Sequence, residues 1–231
     1  MTDFHSHILP AIDDGSQSVE ESIELLKMLK AQGIDRVYAT PHFYPSRDNP
    51  DRFLSRRERA YQKLKRAMQD GDYPEVLLGA EVAYFPGISK IKNLQDFRLE
   101  GSKILLLEMP VSEWSEYTLR ELTEISCLGD TTVLIAHAER YAHYQKKVAM
   151  SRLLDMGIIM QSNASYILNT KTRRKAMKLI KKNTMHLIGS DCHNTSDRAP
   201  RIGEAYELIK KKLGDDAIKH FDELYNSLLI K

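Results

Sequence analysis

The sequence predicts an α/β fold in which parallel strands close into a barrel with helices outside. Three observations carry this. Short apolar runs rich in β-branched residues alternate with segments of helical period, the pattern of strand–helix–strand units with parallel pairing. The runs are apolar throughout, which suits strands covered on both faces. Nearly every run also delivers a histidine or an acid at or near its C-terminal end. A barrel gathers those ends on one face, whereas an open sheet would spread them along a line.

The elements follow in order. "DFH" (3–5) is the first strand and runs into "HSH", with His5 and His7. Segment 18–33 sets Val19, Ile23, Leu26 and Leu29/Lys30 on one stripe, with Ser16 or Ser18 as N-cap, Glu20 or Glu21 in the first turn and Gly33 as C-cap. "RVYAT" (36–40) leads into "TPH" and His42, and a helix is expected over 51–70. "EVLLGAEV" (75–82) carries Glu81 and "KILLLEM" (103–109) carries Glu108. A helix over 115–128 precedes "TVLIAH" (132–137), which ends in His137. A helix over 144–156, the run "GIIMQSNA" (157–164), a helix over 171–183, the run "HLIGSDCH" (186–193) and a helix over 201–228 complete about seven strand–helix units.

The totals bound the reading. A chain of 231 residues suits one large domain or two small ones, and no Pro/Gly/Ser-rich linker divides it. Apolar residues make up 42% and charged ones 29%, the balance of a folded globule. A net charge of +2 argues against a dedicated nucleic-acid surface. The only cysteines, Cys127 and Cys192, lie far apart and suggest a reducing compartment. "MTDFHSH" is not a signal sequence and no apolar run reaches membrane-span length, so a cytoplasmic protein is expected, with no membrane insertion.

One stretch, "SDCHNTSDR" (190–198), reads two ways. Cys192 and Arg198 stand in the C-x5-R spacing of thiol phosphatases, but Asp191 and His193 beside the cysteine are metal-ligand types. Residues two apart on an extended chain point to one side, so His5 pairs with His7 and Asp191 with His193. Cys192 then points away. The loop also lacks glycine, and Ala199 follows the arginine, so Cys192 reads as a small buried residue. Histidines and carboxylates without thiolate suit divalent Zn, Mn or Fe. Two or more such ions can bridge a phosphate and activate water without a covalent nucleophile.

"DFHSHILPAIDDGS" resembles the first motif of the polymerase and histidinol phosphatase (PHP) superfamily. The likeness is to its bacterial branch of manganese-dependent protein-tyrosine phosphatases of capsule and exopolysaccharide systems. It continues in order through "TPHF", "GAEV", "LLLEMP", "AHAERY", "QSNASYI" and "GSDCHN", over essentially the whole chain. The resemblance implies a single PHP-type domain over 1–231 with a distorted, TIM-like seven-stranded parallel barrel. It implies about three divalent metals, Mn first and Fe or Zn otherwise, at the strand C-termini. The matching ligand positions are His5, His7, Asp14, His42, Glu81, Glu108, His137, Asp191 and His193, with Glu108 in a bridging place. Arg140 and Arg198 match phosphate-binding arginines. The implied reaction is attack of a metal-bound hydroxide on phosphotyrosine, without a cysteine nucleophile. The implied partner is a bacterial tyrosine autokinase that controls polysaccharide synthesis.

Several residues keep a plainer alternative. Asp14, next to Asp13, could belong to a turn, and Arg140 or Arg198 to a surface ion pair. Asn163 and Ser165 either line the site or cap a loop. Phe43, Tyr44, Tyr84 and Phe85 either meet a tyrosyl ring or pack the rim. His143, His186 and His220 fit no motif. The basic run 171–183 reads as a solvated helix face around Ala176, Leu179 and Ile180. The rival functions are a small-molecule phosphatase of the histidinol-phosphate kind, a nuclease and a non-catalytic kinase-binding module.

Overall fold

Nine short strands form in the computed structural model, which describes residues 1–69, 71–127 and 131–230. They are β1 (Thr2–Ser6), β2 (Arg36–Ala39), β3 (His42–Phe43), β4 (Glu75–Leu78), β5 (Glu81–Ala83), β6 (Ile104–Glu108), β7 (Thr132–Ile135), β8 (Ile159–Asn163) and β9 (Leu187–Gly189). All their ladders are parallel. They fall into a sheet of order β1-β2-β4 and a sheet of order β3-β5-β6-β7-β8-β9, not one sheet of seven. The break has a local cause. Pro41 has no N–H to give a ladder, and it separates β2 from β3, while Gly79 and Ala80 separate β4 from β5. Backbone bonds still cross the gap, from Gly79 N to Ala39 O at 2.9 Å and from Glu81 N to Pro41 O at 3.1 Å. At the other side β1 lies against the end of β9, with Asp191 N donating to His5 O at 2.8 Å and His7 N to Cys192 O at 2.9 Å. The parallel strands curl into a half-barrel.

The core explains the continuous apolar runs. Leu105, Leu106 and Leu107 on β6 pair in register with Val133, Leu134 and Ile135 on β7. All six are fully buried, on both faces of the sheet. Each such side chain stabilises the fold by about 1.5–3 kcal/mol.

The helices are α1 (Val19–Ala31), α2 (Pro50–Ala67), α3 (Glu116–Cys127), α4 (Ala138–Tyr141), α5 (Lys147–Asp155), α6 (Ala164–Leu168), α7 (Arg173–Lys181), α8 (Ile202–Leu213) and α9 (Asp215–Ser227). The expected helices 51–70 and 115–128 end on positions 70 and 128, which lie outside the described residues. Ser18, not Ser16, caps α1 by accepting from Glu21 N. Ser16 instead bonds Ser18 O and the Ser22 hydroxyl. That lets Ser22 join the buried stripe with Leu25, Leu26 and Leu29, while Val19 and Ile23 stay half-buried. The expected helix 201–228 is two, broken where Gly214 takes φ 87°. Ala176 and Ile180 of α7 face inward and its lysines face solvent. Among the described residues, no helix is long and apolar enough to cross a membrane.

Two strand ends depart from expectation in a way that shapes the site. The run 132–137 leaves the sheet after Ile135, and His137 takes φ 49° at the start of α4. The run 186–193 leaves it after Gly189, and Asp191 takes φ 54°. Asp191 and His193 therefore do not lie on one side of an extended strand. The chain turns sharply at Asp191, and that turn sends both inward.

Gly189 is where β9 passes closest to β1. A Cβ there would stand 2.4 Å from His5 Cβ and 2.9 Å from Gln161 Nε2. Gly189→Ala is expected to cost about 1–3 kcal/mol through overpacking, read as a lower denaturant midpoint at unchanged slope.

Candidate metal centre

The strand ends bring all nine predicted ligand residues together. They form four overlapping groups: His7, Asp14, His42 and His193; His5, His7 and Glu81; His5, His137 and Asp191; and His42, Glu81 and Glu108. Within each group one ligand atom per residue lies within 4.8 Å of the others. Glu81 has no solvent exposure and touches four imidazoles. Its Oε2 is 2.9 Å from His42 Nδ1, 3.2 Å from His5 Nε2 and 3.4 Å from His7 Nε2. Its Oε1 is 2.9 Å from His137 Nε2. Glu108 stands at the rim, 23% exposed, so the carboxylate at the centre of the histidines is Glu81. Asp14, 65% exposed, lies 3.5 Å from His42 Nε2 and 3.6 Å from His193 Nε2.

These atoms fit a cation better than one another. His5 Nε2 and His7 Nε2 are 3.1 Å apart. Ligands about 2.0–2.2 Å from one ion stand about 3.0–3.6 Å from each other. Glu81 Oε2, His42 Nδ1 and His193 Nε2 are buried without a hydrogen bond, a costly state for polar atoms that a shared ion relieves. Burial opposes a charge on His7, but the Asp13 and Glu81 carboxylates outweigh it and push its pKa up to about 10. A divalent cation seated among the same carboxylates answers the same field and displaces that proton.

A surrounding layer aims the rings. His5 Nδ1 donates to Gln161 Oε1 at 3.4 Å, and His7 Nδ1 to Asp13 Oδ2 at 2.8 Å. His137 Nδ1 donates to Asn163 Oδ1 at 2.9 Å, and His193 Nδ1 to Asp191 O at 3.0 Å. Each of these four rings thus has its Nδ1 engaged outward and its Nε2 facing the cluster, the arrangement typical of ligating histidines. Asp13 also accepts from the backbone of His42 and Gly15. Asp13 and Gln161 escaped the sequence reading. For Asp13 the doubled acid of "DDGS" was the available signal, one carboxylate for each side of the turn.

Two arginines border the cluster, each about two-fifths exposed. Arg198 Nη2 lies 3.0 Å from Asp191 Oδ2 and Nη1 3.8 Å from Asp14 Oδ2. Arg140 lies 3.4 Å from Glu108 and 3.7 Å from Asp191. Asn194 Oδ1 accepts from Ser196 N and Arg198 N, which closes the loop that carries Arg198.

The remaining candidates sort by contact. Asn163 joins the site and donates to Asp191 Oδ2 at 2.9 Å, while Ser165 is exposed. Tyr44 stacks on His42, with ring centroids 5.0 Å apart. Phe43 packs in the core against Phe53 and Phe97. Tyr84 donates to Glu121, and Phe85 packs against the core. His186 accepts from Met160 N, His220 bonds Asn183 and His143 is exposed, so none joins the cluster. Cys192 is buried in the core, and burial pushes its thiol far up, away from thiolate.

The model of the family described as capsular polysaccharide synthesis, CpsB/CapC, matches residues 1–227. The chain is 30% identical over 225 residues to the tyrosine-protein phosphatase CpsB of Streptococcus pneumoniae, covering 93% of this chain and 91% of that protein. It is 28% identical over 223 residues to the tyrosine-protein phosphatase YwqE of Bacillus subtilis, covering 94% and 86%. A solved structure from the pair YwqE of Bacillus subtilis and CpsB of Streptococcus pneumoniae, described as unique metal-dependent tyrosine phosphatases, superposes with a TM-score of 0.83. Its identity is 25%, over 99% of this chain and 94% of that one. Histidinol phosphate phosphatase from Lactococcus lactis superposes with a TM-score of 0.56 at 14% identity, over 91% and 92%, a likeness of fold.

Two outcomes are expected of this geometry. Alkylation of the native protein modifies exposed Cys127 and spares Cys192, read by peptide mass spectrometry. Asp13→Asn leaves the fold intact but weakens Mn²⁺ binding about 10- to 100-fold, read by calorimetric titration of metal-stripped protein.

Proposed function

Because the chain belongs to the capsular polysaccharide synthesis CpsB/CapC family, we propose that it is a metal-dependent protein-tyrosine phosphatase. The observation that carries this reading is the convergence of five imidazoles and four carboxylates beside two arginines. The substrate in this reading is phosphotyrosine on a bacterial tyrosine autokinase that controls capsule or exopolysaccharide synthesis. The relatives' activity and the match to metal-dependent tyrosine phosphatases support it.

The nine ligand-type residues would hold about three divalent ions, in this reading Mn first. Bound there, the ions supply Lewis acidity and a nucleophilic water near neutral pH. The chain's own residues do the rest. The Asp13, Gln161 and Asn163 contacts keep the ring Nε2 atoms aimed inward. Arg140 and Arg198 take the phosphate oxygens with their forks and offset the charge that grows on them. Glu108 would be a ligand at the rim, next to Arg140. Cys192 takes no part.

The same reading treats residues 1–231 as one PHP-type domain, working in the cytoplasm. It also treats β2 with β3, and β4 with β5, as single interrupted strands, so that seven strands make one distorted barrel. The backbone bonds across the Pro41 gap and between β1 and the end of β9 support that count.

The test is hydrolysis of a phosphotyrosine peptide by purified protein after chelation and after Mn²⁺ is returned. Activity is expected to vanish and recover. Arg140→Ala and Arg198→Ala are each expected to lower kcat/KM about 10²-fold, and Cys192→Ala to leave it within about twofold. Activity that survives chelation but not Cys192→Ala overturns the reading. Efficient hydrolysis of histidinol phosphate with none of the peptide moves the chain to the small-molecule phosphatases.

A further inference from the structure

A cavity of about 360 Å³ opens beside the metal centre and shares Asp14 and His42 with it. Its charged wall is mostly spoken for. Asp13 is held by His7 and by two backbone N–H groups. Arg56 spends its guanidinium on Asp48 at 2.8 Å and on Ile12 O at 2.6 Å, so Asp48 is neutralised too. Arg47 is different. It is exposed, and no carboxylate lies within ion-pair distance of it among the described residues. Its guanidinium is not loose, because its Cζ sits 4.8 Å from the Tyr44 ring centroid, and Tyr44 in turn stacks on His42. The stack His42–Tyr44–Arg47 holds a cation at a set distance from the reacting centre. That distance is at most about 10 Å from the His42 ring, the reach of two or three residues of extended peptide. A guanidinium fixed by stacking keeps its N–H edge free for a planar anion.

We propose that Arg47, seated on Tyr44, is a subsite for an anionic side chain that flanks the scissile phosphotyrosine within two or three residues, either a carboxylate or a second phosphate. This rests on the phosphatase reading and adds selection among phosphotyrosine sequences. An arginine fork suits both anions. A cation free in solvent would give little selection. One stacked in a cavity that opens onto the reacting centre loses less freedom on binding.

The test uses the Mn²⁺-loaded full chain and four substrates. Three are phosphotyrosine peptides of one length with glutamate, phosphoserine or glutamine two residues from the phosphotyrosine. The fourth is a small aryl phosphate. Wild type is expected to favour one or both anionic peptides over the glutamine peptide by about 5-fold in kcat/KM, through KM. A preference for phosphoserine alone assigns the subsite to phosphate; a preference that includes glutamate assigns it to carboxylates. Arg47→Glu is expected to erase or invert the preference and leave aryl phosphate hydrolysis unchanged. Equal rates on all three peptides in wild type overturn the subsite. So does an equal loss on all four substrates in Arg47→Glu, which would make Arg47 a support for His42. If wild type cleaves none of the four, the phosphatase reading itself fails and the subsite with it.

Discussion

Glu81 is a carboxylate with no contact to water, and four imidazoles close around it. A charge buried this way costs several kcal/mol unless positive partners surround it. Much of the structure serves that requirement. β1 carries His5, β3 and β5 open on His42 and Glu81, and the turn after β7 delivers His137. His7 and Asp191 carry the pattern outward to Asp14 and the arginines. The cluster is therefore continuous, and no ligand-type residue in it answers to one neighbour alone.

The backbone is bent to the same end. His137 and Asp191 both take left-handed conformations, which cost a non-glycine residue energy. Both positions carry ligand-type side chains, and both are pinned from outside. His137 N donates to Gln161, and Asp191 N donates to His5 O. Asp3 ties the same corner, accepting from the backbone of His5 and Ser190 at 3.2 and 2.8 Å. The strain is held by hydrogen bonds in buried surroundings, where they are strongest. Close approach does the rest, because Gly189 lets β9 lie against His5.

Burial decreases from the centre outward. The innermost groups are buried ionisable side chains and the next layer is amides and Asp13. The rim holds Arg140, Arg198 and Arg47, all solvent-facing. Under the proposed function, a phosphate monoester would meet Arg140 and Arg198 at the rim before the cluster. Cys192 is buried in the core, so the C-x5-R spacing of 192–198 presents no exposed thiol.

The residue types and their order along the chain already determined the parallel α/β class and eight of the ligand-type residues, while Asp14 was marked by the family resemblance. Apolar runs must be buried, and histidines and acids at the ends of parallel strands must meet on one face. Tertiary structure alone decided the rest. Pro41 and Gly79 interrupt strands that look continuous in hydropathy, because a missing N–H and a close packing contact leave no mark on apolar content. The choice of Glu81 over Glu108 as the central carboxylate depends on sheet register, which places Glu81 beside Leu106 and Glu108 beside Ala83, one pleat further out. The roles of Asp13 and Gln161 depend on contacts between distant segments, with rings and amides brought together only when the sheet curls. Sequence spacing holds no information about those distances.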